Sequence, residues 1–320
     1  MKKMEHPLTA HTTTISEEDR QAMLSHCTLC PRSCGVNRHL QTGFCGQGSQ
    51  VVVARASLHY WEEPCISGTS GSGTVFFGGC NLKCIYCQNH SIALGNAGKM
   101  VSLEKLAQIF LELQERGANN INLVTPTPWI LSLVKALEIS KKNGLHIPIV
   151  YNTGGYESVE ALKMLDGLID IYMPDMKYAL PQPALEYSNA PDYYEVCCKA
   201  LDEMFRQVGE PYFETRGDQY LMKKGVLVRH LLLPGETKNA KKVIRYLKET
   251  FRDKIYLSIM RQYTPLPQVS HIEKLSRTVT HEEYEKVLTF CQRLNLEHVF
   301  IQEGECAKES FIPPFDDSDL

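Results

Sequence analysis

The twelve cysteines of this chain are not spread evenly. Seven form two tight clusters, Cys27-x2-Cys30-x3-Cys34-x10-Cys45 and Cys80-x3-Cys84-x2-Cys87. Thiols at such spacing constrain a fold more than any hydrophobic pattern, because they must gather around a common centre or be oxidised in pairs. The compartment decides which. Residues 1–20 are polar, with Lys2 and Lys3 but no apolar stretch of signal-peptide type. No apolar run approaches the ~18 residues of a membrane span. The sequence therefore predicts a cytoplasmic protein without a membrane partner. In that compartment clustered cysteines read as metal ligands or redox groups.

A net charge of −3 supplies no basic field, which argues against nucleic acid as a partner. With 320 residues, 43% of them hydrophobic, the chain can bury a core without disulfide staples. Residues 1–72 read as a Cys-rich module with a polar N-terminal tail. The stretch is rich in Cys, Gly and Ser, and its one β-like run is Val51–Tyr60.

From Thr74 onward, short apolar runs alternate with stretches of helical period. The runs are Thr74–Phe77, Ile121–Thr125, Ile147–Tyr151, Leu168–Met173, Val226–Leu233, Ile255–Ile259 and Val299–Ile301. Helices are expected at Leu103–Arg116, Trp129–Asn143, Ser158–Asp166, Pro191–Gln207, Asn239–Phe251 and Thr280–Leu294. Ser102 is cap-like, Asn143-Gly144 closes a helix, and Thr280-x-x-Glu283 has capping-box spacing. This alternation predicts parallel strands with right-handed crossovers over residues 73–310, as a β/α barrel or a doubly wound sheet. An acidic tail, 311–320, follows. In either architecture ligands gather at the C-terminal ends of the strands.

Cys80, Cys84 and Cys87 follow directly on the first of these strands and its two glycines. Three thiolates so close together can wrap one compact cluster. On a four-iron cubane they leave one iron without a protein ligand, free to chelate an amine and a carboxylate. The plainer readings are a zinc site or a thioredoxin-like pair, Cys84-Ile-Tyr-Cys87. Zinc normally draws its fourth ligand from a distant second pair, and a redox dithiol has no use for Cys80.

The segment CNLKCIYCQN resembles the signature of radical S-adenosylmethionine enzymes, Cys-x3-Cys-x-aromatic-Cys, with Tyr86 in the aromatic position. The resemblance implies a partial (β/α)6 barrel of TIM type and a [4Fe-4S] cluster on Cys80, Cys84 and Cys87. It further implies S-adenosylmethionine as cofactor, with Tyr86 near its adenine. Reductive cleavage would give a 5′-deoxyadenosyl radical that abstracts hydrogen from a substrate. Such chemistry requires an electron donor of low potential, of flavodoxin or ferredoxin type.

Later strand ends carry further resemblances. Tyr151-Asn152-Thr153-Gly154 and Asp175-Met-Lys177 resemble elements of the glycyl-radical-enzyme activases, among them the pyruvate formate-lyase activating enzyme. Arg229 to Gly235 resembles their Arg-x4-Pro-Gly strand. The cofactor-binding set implied is Tyr86, Thr125, Thr127, Asn152, Thr153, Asp175, Lys177 and Arg229. Two departures stand out. Thr125-Pro-Thr127-Pro replaces the usual Gly-Gly-Glu, and Asn152 replaces an acid, which counts against a cation site there. The resemblance spans about 230 residues and is sharp only at the cysteine motif.

The reading is thus an oxidoreductase-type radical enzyme whose protein partner is a glycyl radical enzyme. Its alternatives are radical modification of another peptide or small molecule, and a non-catalytic iron–sulfur or zinc relay.

Cys27, Cys30, Cys34 and Cys45 form the second constellation, suited to zinc or a fully ligated iron–sulfur cluster. A third reading leaves them as metal-free redox thiols, with Arg32 and Arg38 near enough to stabilise thiolates. Cys65 lies between the clusters, Cys197, Cys198 and Cys291 fall in helices, and Cys306 follows the last strand.

Overall fold

The computed structural model describes residues 15–302 of the chain. The acidic tail 311–320 and Cys306 lie outside them. In chain order the elements are α1 (Glu17–Ser25), β1 (Val52–His59), α2 (Pro64–Ser67), β2 (Ser72–Phe77), α3 (His90–Ala93), β3 (Lys99–Met100), α4 (Leu103–Glu115), β4 (Ile121–Val124), α5 (Ile130–Lys142) and β5 (Ile149–Thr153). There follow α6 (Val159–Lys163), β6 (Ile171–Pro174), α7 (Pro181–Ser188), α8 (Tyr193–Val208), β7 (Tyr212–Arg216), β8 (Gln219–Leu231), α9 (Thr237–Phe251), β9 (Tyr256–Met260), α10 (His281–Arg293) and β10 (Val299–Ile301). Each of the seven apolar runs becomes a strand of one sheet.

The sheet order is β10-β9-β8-β6-β5-β4-β2-β1-β3. From β2 to β10 every neighbouring pair is parallel. The order follows the chain without reversal, so there is no switch point of the doubly wound kind. This is the open barrel of the two predicted architectures. At its first edge β1 pairs antiparallel with β2, His59 opposite Ser72, so residues 52–59 extend the barrel's own sheet.

Alternation along the strands sorts two layers. Ile149 and Tyr151 pack outward in the main core with the helices, whereas Val150 packs with Ile171, Met173 and Leu227 around Cys65 and Ile66. The short helix α2 therefore fills the barrel's interior. Ile66 is fully buried, and Asn120 at the start of β4 donates to its carbonyl at 2.8 Å. Helix starts obey local chemistry. Ser102 caps α4 through the Lys105 amide, and Thr280 with Glu283 forms the complete capping box of α10.

Several elements depart from the sequence reading, among them the short α2, α3 and β3. Helix α1 arises inside the polar tail, capped by Ser16 and burying only Leu24; one apolar anchor leaves no periodicity to read. Helix α7 opens on Pro181-Gln-Pro183, prolines that suit a first turn but read as loop. Strand β8 starts seven residues early and pairs with β7 in a largely exposed hairpin, whose polar residues give no core signal.

Candidate active site

β2 ends at Phe77, and Gly78-Gly79 carry the chain over the barrel's C-terminal rim. Gly79 has φ +81°, and a Cβ there would sit 2.7 Å from the Cys45 carbonyl oxygen. Only glycine lets the N-terminal module approach the strand end this closely. Lys83, at φ +50°, then turns the chain into Cys84. The Cys87 amide donates to the Cys84 carbonyl at 3.0 Å, and the Ile85 amide to the Tyr187 carbonyl at 2.9 Å. The loop is pinned before any metal is considered.

Burial, and then the neighbouring Cys84 sulfur, pushes the Cys80 thiol up to about 11 and the Cys87 thiol up to about 12. Crowded in low dielectric, the Cys80 and Cys87 thiols resist becoming anions. Multivalent metal at the centre would remove that conflict, whereas the cation Lys177 only partly offsets it at Cys80 and Cys87. Among the described residues no three His, Cys, Asp or Glu side chains converge as ligands of one ion. Three thiolates suit three corners of a cubane, whereas a structural zinc ion takes four ligands.

Across the mouth, four of the expected residues meet. Lys177 Nζ donates to Asp175 Oδ2 at 2.5 Å, and Arg229 Nε to Asp175 Oδ1 at 3.0 Å. Arg229 Nη2 donates to Asn152 Oδ1 at 2.6 Å. Burial alone would raise the Asp175 carboxyl, but Lys177 and Arg229 hold it below its ordinary range. His230 keeps this strand end in place: burial pushes it down to about 4, and its ring nitrogen Nδ1 pairs with the Met176 carbonyl at 2.7 Å.

Thr127 and Thr153 go elsewhere. Both hydroxyls donate to Glu157 Oε1, the Thr127 bond being 2.5 Å, and Tyr151 donates to Oε2 at 3.4 Å. Thr153 shares the outward face of β5 with Tyr151, so this knot lies behind the barrel wall. Burial raises Glu157 to about 7 against the pull of its three hydroxyl donors. Thr125 takes φ +56°, a conformation costing a β-branched residue about 1–3 kcal/mol.

Tyr86, expected beside the cofactor, is buried behind the loop. Its hydroxyl meets that of Tyr178 at 2.8 Å, which meets Ser188 Oγ at 2.7 Å; Ser188 donates to Cys84 Sγ at 3.0 Å.

In the N-terminal module, Cys34 Sγ and Cys45 Sγ lie 3.2 and 3.7 Å from where a Cβ on Gly43 would stand. Cys27 acts electrostatically on both Cys30 and Cys45. The four thiols are close enough to influence one another, though no three of them converge as ligands of one ion. The two arginines, however, serve the backbone. Arg38 donates to the carbonyls of Gly48 and Pro128 at 2.8 and 2.6 Å. Its charge favours the Cys45 thiolate, yet burial still pushes that thiol up. Arg32 donates to the carbonyls of Asn81, Ser188 and Asn189 at 2.9, 2.9 and 2.5 Å.

Sequence reasoning missed Glu62, Glu63, Glu157, Ser188 and the clamp by Arg32. Glu62 reaches into the mouth to Arg229 at 3.3 Å, and buried Glu63 stands at the N-cap position of the plug helix without a side-chain cap bond. A pair of acids before a proline gives no local signal of facing a barrel interior. Glu157 might have been sought as the acid missing from Thr125-Pro-Thr127-Pro, but its outward side was not legible.

Residues 74–247 match the family model of the Radical SAM superfamily, and the chain belongs to that family. Membership implies a [4Fe-4S] cluster and S-adenosylmethionine, and an enzyme of radical chemistry. Among curated proteins, the chain is similar to two uncharacterized proteins of Methanocaldococcus jannaschii. One is 27% identical, over 89% of this chain and 80% of its own length; the other is 23% identical, over 67% and 62%. Among solved structures, anSMEcpe with bound AdoMet and a Kp18Cys peptide superposes with a TM-score of 0.50 at 16% identity. That match covers 69% of this chain and 60% of that one. Native anSMEcpe with AdoMet gives the same score over 61% of its length. This is a likeness of fold. No helix among the described residues is long and apolar enough to cross a membrane.

Proposed function

We propose that Cys80, Cys84 and Cys87 hold the [4Fe-4S] cluster, and that the chain activates a glycyl radical enzyme by removing a hydrogen from a partner's glycine. The observation that carries the cluster assignment is the crowding of three thiols on one pinned loop at the barrel mouth. When bound, cluster and S-adenosylmethionine together supply a 5′-deoxyadenosyl radical. The chain's own residues bind and orient. Lys177 brings positive charge to the thiols, and Asp175 holds Lys177 and Arg229 in one fixed array beside them. That array offers cationic nitrogens to a carboxylate and carboxylate oxygens to an ammonium, the two charged ends of a methionyl group. Tyr86 is buried beside the cysteine loop, its hydroxyl bonded to that of Tyr178. The activase reading is supported by Asp175-Met-Lys177 and Arg229 meeting at one point, as their resemblance to activase motifs requires.

The test is reductive cleavage of S-adenosylmethionine by anaerobically reconstituted protein, with dithionite as reductant and Cys84→Ala as control. 5′-Deoxyadenosine from the wild type alone supports the assignment. A changed EPR spectrum on adding S-adenosylmethionine, without product, points to a missing substrate. Neither signal from a loaded, reducible cluster favours the relay reading. Transfer of the radical to a glycine in a co-encoded glycyl radical enzyme tests the finer claim.

For Cys27, Cys30, Cys34 and Cys45 we propose a second metal centre, supported by their spacing in the sequence and the mutual influence of their thiols. Iron and zinc content should fall when all four are replaced. Undiminished metal content overturns it.

A further inference from the structure

Three buried hydroxyls stand in a line ending on a sulfur: Tyr86 Oη, Tyr178 Oη, Ser188 Oγ and Cys84 Sγ, spaced 2.8, 2.7 and 3.0 Å. A hydroxyl has one proton to donate. A thiolate holding iron has none, so Cys84 Sγ can only accept, and Ser188 must donate to it. Ser188 Oγ then accepts from Tyr178, and Tyr178 Oη from Tyr86. The thiolate therefore sets the direction of the whole chain.

The surroundings keep it intact. Tyr86, Tyr178 and Ser188 are all buried, and burial holds both phenols well above their ordinary range, so they stay protonated. Hydrogen bonds in series polarise one another, more strongly where water is excluded. Ser188 is the last residue of α7, followed by Asn189 in the left-handed conformation at φ +47°. Arg32 grips the carbonyls of both and also that of Asn81, between Cys80 and Cys84. One guanidinium thus fixes the donor and the loop that carries the acceptor.

We infer that Ser188, backed by Tyr178 and Tyr86, sets the reduction potential of the cluster held at Cys84, with Arg32 as its positioning residue. The inference rests on the cluster assignment proposed above. Hydrogen bonds to cluster sulfurs are among the determinants of iron–sulfur potential. The donor stabilises the added negative charge of the reduced state, so it raises the potential and makes the one-electron reduction easier. The chain thereby eases loading from a low-potential donor; no proton is transferred.

The experiment is an EPR-monitored anaerobic redox titration of the reconstituted full chain. Ser188→Ala should shift the midpoint to more negative potential, by about tenfold in the reduction equilibrium, or about 59 mV for one electron. Ser188→Thr, which keeps the hydroxyl, should return toward the wild-type value. Tyr178→Phe keeps Ser188 but removes its donor, and should give a smaller shift of the same sign. An unchanged or more positive midpoint in Ser188→Ala overturns the inference. If that variant fails to hold a cluster, Tyr178→Phe decides, and an unchanged midpoint there is equally fatal. The underlying assignment is checked apart from this, by iron content: a Cys84→Ala protein that keeps its cluster removes the assignment itself, whatever the midpoints show.

Discussion

The two cysteine sites are built from near-mirror pieces and finished differently. Cys27-x2-Cys30-x3-Cys34 reads as the reverse of Cys80-x3-Cys84-x2-Cys87, and in each the residue before the cysteine closing the longer gap is left-handed: Ser33 at φ +41° and Lys83 at φ +50°. Their surroundings diverge. The central site has a nearby cation and a hydroxyl donor to the sulfur of Cys84, itself backed by buried tyrosines. The N-terminal site leaves Cys34 exposed and spends its two arginines on backbone carbonyls. The first environment directs donors at the sulfur of Cys84, and the second directs them at the backbone. Similar loops therefore need not do similar work, because the environment comes from elements remote in sequence.

The largest effect should come from exchanging the sites' thiols singly. Cys84→Ala is expected to reduce 5′-deoxyadenosine formation to background, whereas Cys34→Ala should retain measurable product. Equal loss in both, at equal central-cluster occupancy, would show the N-terminal site to be part of the reaction path. Next is Asp175→Asn, which leaves two buried cations without their shared carboxylate. Chemical denaturation should report a loss of about 3–5 kcal/mol.

Glu157, behind the barrel wall, acts on Cys30. Its folded carboxyl takes its proton at about pH 7, against an ordinary value of 4.5. Between those values the folded chain holds the extra proton, so the group's contribution is present at low pH and lost as pH rises. Glu157→Gln should therefore leave stability unchanged near pH 4 and raise it by about 3 kcal/mol at pH 8. A pH-independent difference would remove Glu157 as the titrating group. The smallest effect is expected of Arg32→Met, which gives up three charge-assisted bonds at a partly exposed position. A loss of about 2 kcal/mol by denaturant titration would fit, and a neutral result would mean that the modules are held mainly by the shared sheet.

What could be read in advance follows from the range of the forces involved. Apolar runs and helix caps are local, so the strands from Thr74 to Ile301 and the capping box at Thr280 were legible. The gathering of Asn152, Asp175, Lys177 and Arg229 was also foreseeable, since parallel strands bring their C-terminal ends to one rim. The facing of Thr153 was not. It sits beside Asn152, and adjacent residues of a strand point to opposite sides. A hydroxyl expected at the cofactor was committed instead to Glu157 behind the wall.

By itself the sequence determined the two cysteine sites, the order of strands and helices, and the family, because each is written in short spacings or local periodicity. The tertiary structure alone decided that α2 fills the barrel and that Arg32 clamps the loop of Cys80. It also placed Ser188, 104 residues away, on the sulfur of Cys84. Those contacts depend on packing between distant segments, where no local preference of the chain carries the information.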